Sequence, residues 1–189
     1  MYVDMLITVS QSSIVCDLFN TTNIGKLYSD WSCKNGVVGS DSCTWSGINC
    51  GSGVWATTLD LANKKLTGTL PSSLGLWWSL ENIYLSSNSL TGTILSTLGL
   101  LDMLIVQSLK ENKLIGTVPL HLTGSSLISI DLSKNKLTGS LPSSLCTSSL
   151  KSLDVTGNSI TCYDSCFLGN HTSAVLVEES SFVVCGGKA

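Results

Sequence analysis

LISIDLSKNKLTG, residues Leu127–Gly139, sets the frame for most of the chain. The same frame returns at Leu80–Gly92 (LENIYLSSNSLTG) and at Leu104–Gly116 (LIVQSLKENKLIG). A copy at Ala56–Gly68 (ATTLDLANKKLTG) opens the series, and a shortened one at Leu150–Ile160 (LKSLDVTGNSI) closes it. Asn135 has its equivalents at Lys64, Asn88, Asn112 and Asn158, so successive copies lie 24, 24, 23 and 23 residues apart. A fixed period of this size marks a fold built by stacking one small unit.

The unit can be read residue by residue. Its L-x-L centre alternates with period two, which predicts a short strand with the leucines on one face. One such strand buries too little to stand alone, so stacked copies must share a continuous core beneath a parallel sheet. The Asn at the strand exit is expected to turn inward and bond the main chain of the turn, because buried backbone groups need partners. Gly68, Gly92, Gly116 and Gly139 give the return path its permissive backbone. Pro follows three residues later at Pro71, Pro119 and Pro142, while Leu95 stands in its place after Gly92. Glycine in all four of these periods, with proline in three of them, argues against a leucine-rich helical bundle.

The runs LTGTLP, LTGTIL, LIGTVP and LTGSLP resemble the L-T-G-x-I-P hallmark of plant-type extracellular leucine-rich repeats. The resemblance implies an α/β repeat fold. It would be a right-handed solenoid of about five repeats with a parallel sheet on its concave face and a helical N-terminal cap. The expected organisation is a cap over residues 1–53, repeats over 54–160 and a cysteine-containing cap over 161–189. In the first 30 residues, Val3, Leu6, Ile7, Ile14 and Leu18 recur near helical spacing, and Asn20–Gly25 ends the pattern with turn residues. SIVCDLFNTTNIG is similar to the N-terminal caps of protist and bacterial members. Residues 1–9 make a poor secretion signal, since Asp4 sits where a basic residue belongs.

Eight cysteines fall at the two ends of the repeat block, four up to Cys50 and four from Cys146. Such clustering suits an oxidising compartment. Cys43-Thr44-Trp45-Ser46-Gly47-Ile48-Asn49-Cys50 resembles the family's C-x-W-x-G-V-x-C cap, which implies a Cys43–Cys50 disulfide with Trp45 packed over the first repeat. Cys16 with Cys33 is the second expected bridge. Cys146, Cys162, Cys166 and Cys185 leave three pairings open. The run from Cys162 to Cys185 resembles C-terminal caps of kinetoplastid surface proteins, and Cys146 is extra to that pattern. A zinc site from Cys162, Cys166, His171 and Cys185 is the less favoured reading. Asn20 and Asn170 open glycosylation sequons.

Charged residues are only 12% of the chain, against about 25% in typical proteins. The net charge is −3 and no basic stripe is visible, which speaks against a nucleic-acid partner. The mean hydropathy of +0.34 comes from repeat leucines rather than a membrane span. The longest apolar stretch, Ile94 to Val106, is interrupted by Ser96, Thr97 and Asp102. No cofactor and no enzymatic activity are expected. The two histidines, His121 and His171, are not placed by the repeat near a nucleophile and carboxylate, and Asp60, Asp131 and Asp154 sit on non-adjacent strands.

Counting from the Asn position places Asp60, Tyr84, Ser108, Asp131 and Asp154 in one outward column of the concave face. Glu81, Ile105, Val106 and Ile128 precede them on the same face. Tyr84, Ile105, Val106 and Ile128 interrupt a small, polar surface, as contact residues do. The alternative is a modest apolar patch in an irregular third repeat, where Gln107 takes a place that other copies give to Leu or Ile. Trp77 is expected in the core and Trp78 outside it. These nine concave residues predict an extracellular or cell-surface module that binds a protein or peptide, whether the chain is whole or a piece of a larger receptor. A secreted-hydrolase inhibitor, resembling polygalacturonase-inhibiting proteins, and a passive coat or adhesion protein are the alternatives.

Overall fold

The computed structural model describes residues 11–34, 37–38, 42–53, 55–122, 126–146, 149–163, 167, 174–176 and 183–185. Val3, Leu6, Ile7, Cys166, Asn170 and His171 therefore lie outside the described residues. Thr58–Asp60, Asn82–Tyr84, Val106–Ser108, Ser129–Asp131 and Ser152–Asp154 form strands paired in parallel. Their registers bring Leu59, Ile83, Gln107, Ile130 and Leu153 into one inward row, each 0% exposed. Ile48–Asn49 extends the sheet in antiparallel fashion at its start.

At the other end Ala174–Leu176 pairs in parallel with Ser152–Asp154. Val183–Val184 likewise extends a second ladder through Ile115–Gly116, Lys136–Leu141 and Ser159–Tyr163. The cap beyond Ile160 thus continues both ladders. Its sequence carries neither the leucine frame nor the exit Asn, so repeat counting stops short of it.

The convex side is made of 3-10 segments, Ser72–Leu76, Ser96–Leu100 and Ser143–Cys146. Pro71 opens the first with φ −75°, and Leu95 opens the second with φ −76°. Leucine there adopts the backbone that proline would impose, so the missing Pro changes little. Leu61, Leu74, Leu85, Leu98, Leu109, Leu122 and Leu132 lie beneath, all buried.

The exit asparagines behave as their chemistry requires. Asn112 Nδ2 donates to the carbonyls of Leu85 (2.9 Å), Leu109 (3.0 Å) and Lys110 (3.2 Å), and its Oδ1 accepts from Leu90 N (3.0 Å). Asn88, Asn135 and Asn158 make the same set one repeat apart. One amide per repeat satisfies backbone groups that the tight turn would leave unpaired. At Lys64 the cap supplies an asparagine of its own. Asn23 Oδ1 accepts from Thr67 N (2.8 Å), and its Nδ2 donates to Lys65 O (3.3 Å).

Gln107 is the exception in the core. The register that makes it inward is correct, yet neither its Nε2 nor its Oε1 has a partner among the described residues. Such a group costs about 1–3 kcal/mol. Gln107→Leu, which restores the residue type of its row, is expected to raise the unfolding free energy by about 2 kcal/mol in urea titrations.

Helix α1, Gln11–Thr21, closes the open end. Ile14, Val15 and Leu18 are buried on its inner face, and Gln11 Oε1 accepts from Ala56 N (3.2 Å). Helix α2, Ile24–Leu27, follows at once and buries Ile24. Trp45 is buried as expected, but it does not act alone: Trp31 lies against it, ring centroids 5.0 Å apart, and donates Nε1 to Ser46 O (2.9 Å). Cys16–Cys33 and Cys43–Cys50 are disulfides. So is Cys162–Cys185, and Cys146 is also disulfide-bonded. The zinc reading is overturned, because Cys162 and Cys185 are bonded to each other.

Candidate functional site

The concave face is fixed by the strand registers. Asp60, Tyr84, Ser108, Asp131 and Asp154 form one outward column, and Thr58, Asn82, Val106, Ser129 and Ser152 form the neighbouring one. Asp131 and Asp154, expected on non-adjacent strands, are instead direct neighbours on paired strands, because the fourth and fifth copies follow each other without a copy between them. Glu81, Ile105, Ile128 and Lys151 make a third row at the strand entrances. There Ile128 N bonds Ile105 O (2.9 Å), and Lys151 N bonds Ile128 O (2.8 Å). Ile105 and Ile128 therefore sit side by side, with Val106 next to them. Ile128 is 38% exposed, and Ile105 and Val106 are half-buried. Tyr84, half-buried, is diagonal to Val106, on the far side of the inward row that holds Gln107.

The aspartates of the column have a structural task that sequence reading did not assign. Asp131 Oδ1 accepts from Ser133 N (3.0 Å) and Ser133 Oγ (2.6 Å). Asp154 Oδ1 does the same for Thr156 N (3.0 Å) and Oγ1 (2.8 Å), and Asp60 Oδ1 accepts from Ala62 N (3.1 Å). Each carboxylate folds the turn behind its own strand, as aspartates do in short local turns. Asp60 also lines a hollow of about 530 Å³ with Tyr28, Ser46 and Lys64, where the cap meets the first repeat.

Beyond the strand exits, Ser87 Oγ donates to Glu111 Oε2 (2.8 Å) and Lys134 Nζ to Glu111 Oε1 (2.6 Å). The Lys134 ammonium, hydrogen-bonded to Glu111, holds that carboxyl below the usual carboxylate range. The contact fades as the pH falls through that lowered value. Both side chains are exposed, so it contributes little to stability.

Two stretches, residues 79–101 and 126–148, match the Leucine Rich Repeat family. The stacked strands and the asparagine ladder agree with these matches. The chain has the leucine-rich-repeat fold. A comparison with curated protein sequences found no match. Among solved structures, the leucine-rich-repeat fold resembles a chain in the BIR3–SERK2 complex from Arabidopsis thaliana, at 29% identity and a TM-score of 0.75. The match covers 94% of this chain and 100% of that one. It also resembles a chain of the PEPR1–AtPEP1 structure, at 26% identity and a TM-score of 0.81, over 92% of this chain and 25% of that one. A third likeness is the Arabidopsis receptor kinase HAESA ectodomain with its IDA peptide hormone, at 27% identity and a TM-score of 0.70, over 92% of this chain and 28% of that one. With disulfides at both ends of the repeat block and a receptor ectodomain among its likenesses, the protein is extracellular or at the cell surface. Among the described residues no helix is long and apolar enough to cross a membrane.

Proposed function

We propose that the chain is an extracellular recognition module that binds a protein or peptide through its concave sheet face. The observation that carries this reading is the contiguous Ile105, Val106 and Ile128 on neighbouring strands, with Tyr84 diagonal to them, on a face that is otherwise small and polar. Apolar side chains there serve no core, since the core lies on the other side of the sheet. Set among hydrogen-bonding groups, they match the apolar centre and polar rim of a protein interface. Two of the similar structures are complexes, one of BIR3 with SERK2 and one of HAESA with the IDA peptide hormone, and they agree with this reading. Asp60, Asp131 and Asp154 would orient the ligand with the oxygen that the turn leaves over, while Glu81 and Ser108 border the apolar patch. The proposed organisation remains a cap over 1–53, repeats over 54–160 and a second cap over 161–189.

The test is affinity capture from extracellular fluid with the whole chain, beside an Ile105→Asp/Ile128→Asp variant. The variant is expected to fold normally, because both positions face outward. It should lose at least about tenfold in affinity for any specifically captured partner. Equal capture by the variant would refute the concave site.

Asn20 stands exposed at the end of helix α1, away from the concave sheet, and we propose that it carries a glycan. The expected outcome is a mass loss on enzymatic deglycosylation, abolished at that site by Asn20→Gln, with partner binding unchanged. Asn170 is proposed as the second site.

A further inference from the structure

Two tryptophans outside the core stand together at the strand-entry flank. Trp55 is 50% exposed and Trp78 is 56% exposed, with ring centroids 5.5 Å apart and planes tilted by 54°. The repeat does not require them. Where the first copy has Trp55, later copies have Ser79, Met103, Ser126 and Ser149, and where the second has Trp78, the third has Asp102. Trp77, by contrast, is buried at 2% and fills the core.

The charged residues of the entry segments that hold this pair are of one sign. Glu81 N bonds Thr57 O (2.8 Å), which sets Glu81 beside the strand that Trp55 leads into. Asp102 N bonds Leu100 O (3.1 Å) in the same turn that Trp78 N makes with Leu76 O (3.0 Å), so Asp102 lies one repeat, about 5 Å, from Trp78. The entry segments 53–57, 76–81 and 100–105 hold no lysine, and the whole chain has no arginine. Lys64, Lys65, Lys110, Lys113, Lys134 and Lys136 all follow the strand exits, on the opposite flank.

We propose that Trp55 and Trp78, with Glu81 and Asp102 beside them, receive an arginine or lysine side chain of the protein partner. The proposal rests on the protein-binding role argued above and gives that partner a chemical feature. An indole face is the best aromatic acceptor for a cation, and a carboxylate alongside it pairs with the same charge. An anionic lipid surface or acidic polymer meets only like charge here. A neutral sugar could stack on the indoles but carries no charge for the two carboxylates to meet. Exposed Met103 follows Asp102 and stands two residues before Ile105 in the chain, so one partner can span both.

The test is an NMR titration of the isotope-labelled whole chain with N-acetyl-arginine amide, N-acetyl-citrulline amide as its neutral isostere, and methyl β-glucoside. The indole N–H signals of Trp55 and Trp78 should shift saturably with the arginine amide, about fivefold tighter than with the citrulline amide. Glu81→Gln/Asp102→Asn should erase that difference, and Trp78→Ala should abolish the Trp55 shift while the backbone spectrum stays unchanged. Equal affinity for the two amides, or saturable shifts with the glucoside alone, would overturn the proposal. The probes are too small to reach Ile128, so the two readings fail separately. Lost capture by Ile105→Asp/Ile128→Asp with no arginine preference removes only the cation site, and the reverse result removes only the concave one.

Discussion

Asn112→Ala should lower the unfolding free energy by about 4 kcal/mol, measured by urea denaturation. The side chain is 8% exposed and serves four backbone groups in two repeats at once. Alanine would leave Leu90 N without that partner in a dry turn, at about 1–3 kcal/mol. The carbonyls of Leu85 and Leu109 would keep one amide donor in place of two, from Asn88 and Asn135, and each donor bond lost from Asn112 Nδ2 adds about 0.5–1.5 kcal/mol. Lys64→Asn is the control. The first copy has an exposed side chain at this place, and Asn88 already accepts from Lys64 N and Leu66 N and donates to Leu61 O, so little change is expected.

Gly99→Ala should be nearly as damaging, for a different reason. A β-carbon at Gly99 would sit inside the contact distance of the His121 carbonyl oxygen and 2.8 Å from its carbon. Gly75 meets the Thr97 carbonyl in the same way one repeat earlier. In both cases the obstacle is backbone of the next repeat, so no rotamer change can relieve it. The repeats would have to separate on the convex side. We expect a loss of about 3 kcal/mol, read as a fall in Tm of about 10 °C. Gly53→Ala, whose added carbon would meet nothing closer than 3.7 Å, should leave the Tm unchanged.

The repeat was legible in the sequence because leucine, asparagine and glycine each answer a separate physical demand at a fixed place. The leucines gave the inward row and hence the concave columns, and Gly68, Gly92, Gly116 and Gly139 do carry positive φ, from 79° to 96°. Gln107 could be identified as a buried misfit from its neighbours in the frame alone. Other features gave no such signal. Asn63, Ser87, Glu111 and Lys134 all adopt φ between 54° and 59° two residues after the last strand leucine. Only the fifth copy marks that turn with a glycine, Gly157. Gly75 and Gly99 have no unusual φ, and their need for glycine lies in a neighbouring repeat some 20 residues away. Trp31 meets Trp45 across a cap without a period, so spacing could not pair them. The aspartates of the concave column look like ligand groups in one dimension. In three, half of each carboxylate is committed to its own turn.

The apolar cluster and the tryptophan pair show where sequence reading meets its limit in the site. Tyr84, Ile105, Val106 and Ile128 could be placed on one face by counting, because strand period and repeat period are both fixed. Trp78 could be placed outside the core. Its meeting with Trp55 depends on how two irregular entry turns stack, which no period specifies.

A random-peptide display library panned against the whole chain should select peptides that bind the concave patch. Selected peptides would be measured against the wild type, Ile105→Asp/Ile128→Asp, and a control away from both proposed sites, Leu120→Asp, at a residue 56% exposed. Most binders should lose at least about tenfold in affinity on the concave variant and keep it on the control. Binders that tolerate Ile105→Asp/Ile128→Asp, or that fail on Leu120→Asp, would contradict a concave binding surface.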